Sequence, residues 1–138
     1  MLTDITDEVV AAFGRLLPQL SSSAPPLDAQ AIGAIAGAQA ITILLARCDG
    51  AIAGTLTLAM FPIPTGVRAW IEDVVVDEAF RGRGAGEELT RVALQIAQAA
   101  GARTVDLTSR PTREAAGRLY ERAGFKQRDS RLYRYSFE

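Results

Sequence analysis

Residues 77–89 read Asp-Glu-Ala-Phe-Arg-Gly-Arg-Gly-Ala-Gly-Glu-Glu-Leu, and within them Arg81-Gly82-Arg83-Gly84-Ala85-Gly86 alternates glycine with cationic or small residues. An apolar run, Val74-Val75-Val76, stands before this segment. A helical pattern follows from Glu87 to Ala100, with Leu89, Val92, Ala93, Ile96, Ala97 and Ala100 on one stripe. The order is therefore strand, glycine loop, helix. The start of such a helix presents free backbone N–H groups and the positive end of the helix dipole. Glycines ahead of it let the backbone wrap an anion closely, and Arg81 and Arg83 add charge, which makes a pyrophosphate cradle. The dinucleotide fingerprint requires glycine at 82, 84 and 87, but position 87 is Glu. The P-loop requires Gly-Lys followed by Ser or Thr, which this loop lacks. A disordered Arg-Gly segment of the RNA-binding kind does not sit between two strongly periodic elements. A tight strand-to-helix turn without a ligand stays open as the alternative.

Outward from the loop, the pattern predicts a helix from Asp4 to about Leu17, with Val9, Val10, Phe13, Leu16 and Leu17 on one face. Pro and Ser make 18–27 a loop, and Asp28 is the N-cap of a short helix reaching about Gly37. Strands are expected at 41–47 and 51–60, joined through Asp49-Gly50, a hairpin signal. The stretch 61–67, with two prolines, reads as a loop, and 69–76 as a third strand. After the long helix come a short strand at 104–108, a helix at about 112–123 stopped by Gly124, and a final alternating strand over 131–137. The expected fold class is α/β in the mixed, α+β sense, in the order α-α-β-β-β-α-β-α-β, with a central mixed sheet and helices on both faces.

A chain of 138 residues, 49% hydrophobic and 22% charged, suits one ordinary globular domain, taken as 1–138. No apolar run approaches a membrane span, and the acidic start, Met1 to Val10, lacks the basic region of a signal peptide. With a single cysteine, Cys48, an internal disulfide is impossible, and the expected location is cytoplasmic. The absence of histidine removes Ser-His and Cys-His catalysis and the usual zinc sites, so no metal is expected. Charge is uneven: residues 1–80 carry net −6 and residues 81–138 net +5, the positive part starting at the glycine loop. An anion held by the second half fits this, although most of these arginines read as solvated helix faces. Near-zero net charge and the lack of a stacking motif argue against a nucleic-acid partner, despite Tyr133 and Tyr135 among arginines.

Two motifs together resemble the GCN5-related N-acetyltransferases, or GNAT family. Arg81-Gly82-Arg83-Gly84-Ala85-Gly86 matches that family's Arg/Gln-x-x-Gly-x-Gly/Ala loop, and Val74-Val75-Val76 stands where the family has the end of its fourth strand. Ala116-Gly117-Arg118-Leu119-Tyr120-Glu121-Arg122-Ala123-Gly124-Phe125 matches its Ala-x-x-Leu-Tyr-x-x-x-Gly-Phe helix. The resemblance is clear over residues 69–125, and the first 68 residues agree in element order only. It implies acetyl-CoA as co-substrate and direct transfer of acetyl to an amine in a ternary complex. It implies that residues 81–86 hold the pyrophosphate and that the backbone of Val74 to Val76 holds the pantetheine and polarises the thioester, an oxyanion-type role. Tyr120 matches the family's general acid for the leaving thiolate. Where the family often has a cofactor-contacting Asn, this chain has Arg113, which fits a phosphate contact or a helix cap.

An attacking amine must also lose a proton. Glu72 and Asp73 occupy adjacent strand positions and are expected to point to opposite faces. Glu72 is favoured as the base, acting through water, because a similar Ile-Glu-Asp sequence occurs at this place in glucosamine-phosphate acetyltransferases of the family. Pairing of one acid with Arg68 is an equal alternative. Tyr120 also reads as a core residue of its helix, and Cys48 as packing. The acidic first half suits a cationic small-molecule or peptide amine as acceptor, with the chain a monomer or homodimer. The reading from another class is a non-catalytic CoA-binding or regulatory module that keeps the cradle without transfer.

Overall fold

The computed structural model describes residues 1–109 and 114–137. The chain forms two compact units, Met1–Thr108 and Ser109–Glu138. In the first, helices α1 (Asp7–Leu20) and α2 (Ala29–Ala36) precede strands β1 (Ile41–Cys48), β2 (Ala51–Ile63) and β3 (Gly66–Val76). A 3₁₀ turn (Glu78–Phe80), helix α3 (Ala85–Ala99) and strand β4 (Thr104–Asp106) complete it. The sheet order is β1-β2-β3-β4, antiparallel among the first three and parallel between β3 and β4.

Both faces of the sheet are covered, as the element order predicts. On one face Val9, Phe13 and Leu16 of α1 and Ile32 of α2 pack with Ile43, Ile52 and Val75. On the other, α3 lies against β2, where a Cβ on Gly54 would stand 3.4 Å from Leu89 Cδ1 and 3.0 Å from the Val75 carbonyl oxygen. Thr6 caps α1, its Oγ1 accepting from Val9 N at 3.3 Å, and Asp28 caps α2 by accepting from Ala31 N at 2.8 Å. Asp49 and Gly50 turn β1 into β2 with φ of 53° and 81°, the left-handed pair that a tight hairpin needs.

Several boundaries differ from expectation. Helix α1 starts later and runs on through Pro18 to Leu20. The proline removes one backbone donor, but Ser21 N still donates to Leu17 O, and Leu17 and Leu20 pack on the core. The stretch 61–67 is not a loop: Phe61, Pro62 and Ile63 pair with Arg68, Val67 and Gly66. β1 ends its pairing at Ala59, so Pro62 needs no partner on its other side. Helix α3 begins at Ala85, inside the glycine segment, and β4 stops at Asp106.

In the second unit, α4 (Glu114–Arg122) ends as foreseen. Gly124 has φ 103°, Phe125 N donates to Tyr120 O and Gly124 N to Glu121 O, the paired bonds of a Schellman stop. The Tyr120 and Phe125 rings meet edge-on at 5.8 Å. The expected final strand over 131–137 is absent: those residues form no ladder, and Leu132, Tyr133, Tyr135 and Phe137 are exposed. Alternation makes a segment fit for a strand, but only pairing makes it one. No helix among the described residues is long and apolar enough to cross a membrane.

Candidate active site

β3 and the turn after it hold most of the residues singled out from sequence. Among the described residues β4 pairs only with Arg68, Ala69 and Trp70, so beyond Trp70 this edge of β3 has left its parallel neighbour. Val75 and Val76 pair on the β2 side with Thr55 and Gly54. Between Val75 and Glu72 the register slips: Thr55 faces Val75 but Thr57 faces Glu72, so Asp73 and Val74 together oppose Leu56. This is a β-bulge on β3, with Asp73 at φ 49°, a conformation Asp tolerates better than most residues.

The bulge overturns the expected orientation of the two acids. Strict alternation would send Glu72 and Asp73 to opposite faces. The register instead places Glu72 opposite Thr57, while Asp73 lines a cleft whose walls include Thr55 and Thr57. One extra residue in the strand cancels one step of alternation, so both acids serve the face covered by α1 and α2. The cleft has a volume of about 240 Å³. Its other walls come from α1, α2 and the loop between them, including Phe13, Leu17, Pro25 and Ile32. Ala24 and Pro25 line it directly, which gives the serine-rich loop a place beside the cleft. Both acids are exposed, but Glu72 is not part of the lining, and neither is the half-buried Trp70. Among the described residues Arg68 donates to Thr65 Oγ1 at 2.9 Å, and no ion pair joins it to either acid.

The glycine segment forms a bend into α3. Gly82 and Gly84 have φ of 81° and 80°. Gly84 is the N-cap and offers no side chain to the first amides of α3. Ala85 is buried and Gly86 lies in the first helical turn. Thr90, also buried, donates to Gly86 O at 2.8 Å. The two arginines expected to add charge to the cradle each have a partner within the protein. Arg83 forms an ion pair with Asp49 of the hairpin turn at 2.6 Å, which raises its pKa, and stands over the Phe80 ring. Arg81 Nε donates to Val76 O at 3.4 Å. Arg113 lies outside the described residues. Among the described residues no group of three or more His, Cys, Asp or Glu could hold a metal ion.

Sequence reading missed the link between α1 and this loop. Arg15 Nε donates to Asp77 Oδ2 at 2.8 Å and its Nη2 to Ile52 O at 2.7 Å. Gln19 Nε2 donates to Asp77 Oδ1 at 3.4 Å while its Oε1 accepts from Glu78 N at 3.0 Å. Asp77 caps the 3₁₀ turn through Ala79 N, and this bond, then Arg15, holds its carboxyl below the usual 3.8. The only trace in the sequence was polar Arg15 and Gln19 four apart on an amphipathic helix, which names no partner.

Together these are an uncapped helix start behind left-handed glycines, a strand edge without its neighbour, and an apolar cleft ending in a carboxylate. The model of the acetyltransferase (GNAT) family matches residues 5–125. The chain belongs to that family. N-alpha-acetyltransferase 30 of Schizosaccharomyces pombe is 37% identical over 71 residues, which is 51% of this chain and 47% of that protein. The match thus spans about half the length of that curated relative. A structure from Agrobacterium tumefaciens assigned as an acetyltransferase aligns over 99% of this chain and 100% of its own, at 27% identity and a TM-score of 0.84. An acetyltransferase of Trypanosoma brucei aligns over 96% and 97%, at 26% identity and a TM-score of 0.78. Membership of this GNAT family implies acetyl transfer, and the family's usual acetyl donor is acetyl-CoA.

Proposed function

We propose that this GNAT chain is an N-acetyltransferase that moves acetyl from acetyl-CoA to an amine by direct transfer in a ternary complex. The observation that carries this is the bulged β3, which puts Asp73 in a cleft and leads straight into the glycine-bounded start of α3. The donor supplies a thioester, an activated acetyl group. The backbone amides of Arg81 to Gly86 and the dipole of α3 suit its pyrophosphate, and the edge of β3 at Val74 to Val76 suits the pantetheine. These amides also stabilise charge on the thioester oxygen.

An ammonium must become an amine before it attacks. Asp73, already facing the cleft, takes that proton, directly or through water, with Glu72, outside the lining, as the alternative. The N–C bond forms from the amine lone pair, and the C–S bond breaks with its electrons on sulfur. Tyr120 gives the sulfur a proton, the role its motif implies, and is re-protonated from the amine nitrogen through solvent. One proton is released for each acetyl moved. The finding that Arg83 is paired with Asp49 shifts pyrophosphate binding toward backbone amides and Arg81. The name of a curated relative, N-alpha-acetyltransferase 30, supports an amine acceptor in general. The test is CoA release, read as free thiol, with a panel of amines. Turnover supports the enzyme; tight CoA binding with no turnover on any amine overturns it in favour of a binding module.

A further inference from the structure

We propose that the acceptor is a monoamine carried on a compact apolar body, seated in the cleft between α1, α2 and the sheet with its nitrogen at Asp73. The inference rests on the transferase reading above and narrows its substrate class. Among the described residues Asp73 is the sole charged one in the lining. Among them Thr55 and Thr57 are the only other polar side chains there, and Thr55, nearly fully buried, already donates to Leu44 O at 3.0 Å. The remaining wall is hydrocarbon and ring, including Phe13, Leu17 and Ile32. A single ammonium beside Asp73 is matched in charge. A second cation, or a ring of hydroxyls, would be desolvated against hydrocarbon without partners, which is costly. The volume, about 240 Å³, is below the roughly 300 Å³ at which pockets begin to take drug-sized ligands, so the seated part is small. The cationic acceptor expected from the acidic first half is therefore replaced by one that is cationic at one atom only. The other acids of that half that have assigned partners are spent elsewhere: Glu8 on Arg47, Asp49 on Arg83 and Asp77 on Arg15.

The experiment compares kcat/KM, by thiol release at saturating acetyl-CoA, for hexylamine and phenylethylamine against spermidine and an aminoglycoside. The apolar monoamines are expected to lead by ~10-fold or more, the discrimination a few buried methylenes provide. Ile35, exposed yet on the cleft wall, supplies the second arm without threatening the core. Ile35→Ser should raise KM for hexylamine several-fold and leave CoA affinity unchanged. Spermidine or the aminoglycoside preferred over both monoamines, or an Ile35→Ser enzyme with unaltered KM for hexylamine, would overturn this proposal while leaving the transferase reading intact. No thiol release with any amine would overturn both.

Discussion

Asp73 is where one backbone angle changes what the site can do. At φ 49° it makes the bulge, and it is the residue in the cleft. Asn also tolerates the left-handed region, so Asp73→Asn removes the charge and keeps the bend. Turnover should fall ~10²-fold at neutral pH, the low end for a positioned base, and recover in part at high pH where the amine is already free. Glu72→Gln should change it less. The reverse ranking, measured by thiol release across pH, would return the role to Glu72. Gly86 tests the cradle better than Gly84. A side chain at Gly84 is strained whatever surrounds it, because its φ is 80°. Gly86 lies in the helical turn, so Gly86→Val should leave melting nearly unchanged and weaken CoA binding strongly, as titration calorimetry can show. Tyr120→Phe keeps the ring and its edge contact with Phe125. A general-acid role predicts a loss of ~10²-fold, about 3 kcal/mol of barrier, with CoA affinity unchanged. Full activity, with chemistry shown to limit the rate, makes Tyr120 a packing residue.

Among elements, α1 has two jobs on two sides. Phe13 and Leu17 wall the cleft, while Arg15 and Gln19 grip the start of the glycine turn. The bond from Glu78 N and the ion pair to Asp77 fix where the turn leaves β3. Arg15→Ala should therefore raise KM for acetyl-CoA by ~10-fold, the scale of one charge-assisted hydrogen bond, although Arg15 is placed away from the anion itself. The clamp also has a pH signature. The folded chain holds the Asp77 carboxyl below 3.8, so the anion's contribution is complete above that value and is lost as pH falls through the lowered one. Acid unfolding of Asp77→Asn, followed by circular dichroism, should be less steep in this range than that of the native chain. Identical acid profiles would show that the clamp is energetically idle.

Across the whole molecule, charge is divided at the glycine loop, net −6 before it and +5 from it onward. Attraction of a polyanionic donor by the positive part weakens when salt shortens the screening length. The affinity for CoA should fall several-fold between low salt and ~0.5 M, where the screening length is only a few ångströms. Binding of DNA should be negligible at either salt. Salt-dependent DNA binding would reopen the nucleic-acid reading set aside on net charge.

Local chemistry settled much of this protein from the sequence. Asp28 as a cap, Asp49-Gly50 as a tight turn, Gly124-Phe125 as a helix stop and the glycine turn before α3 all depend on a few neighbouring residues, and all stand as expected. The family motifs were legible for the same reason. What depended on partners far along the chain was not. A single slip of register against β2 brought both acids to the face that carries the cleft, because side chains alternate and one added residue reverses the pattern. Pro62 could sit in a strand because β1 had already ended beside it, and residues 131–137 alternate like a strand yet form no ladder. Arg83, read from the sequence as adding charge to the glycine loop, is held by Asp49, 34 residues away. Propensity and caps act over a few residues. Register, pairing and charge partnership are settled by whichever distant groups the fold brings within reach.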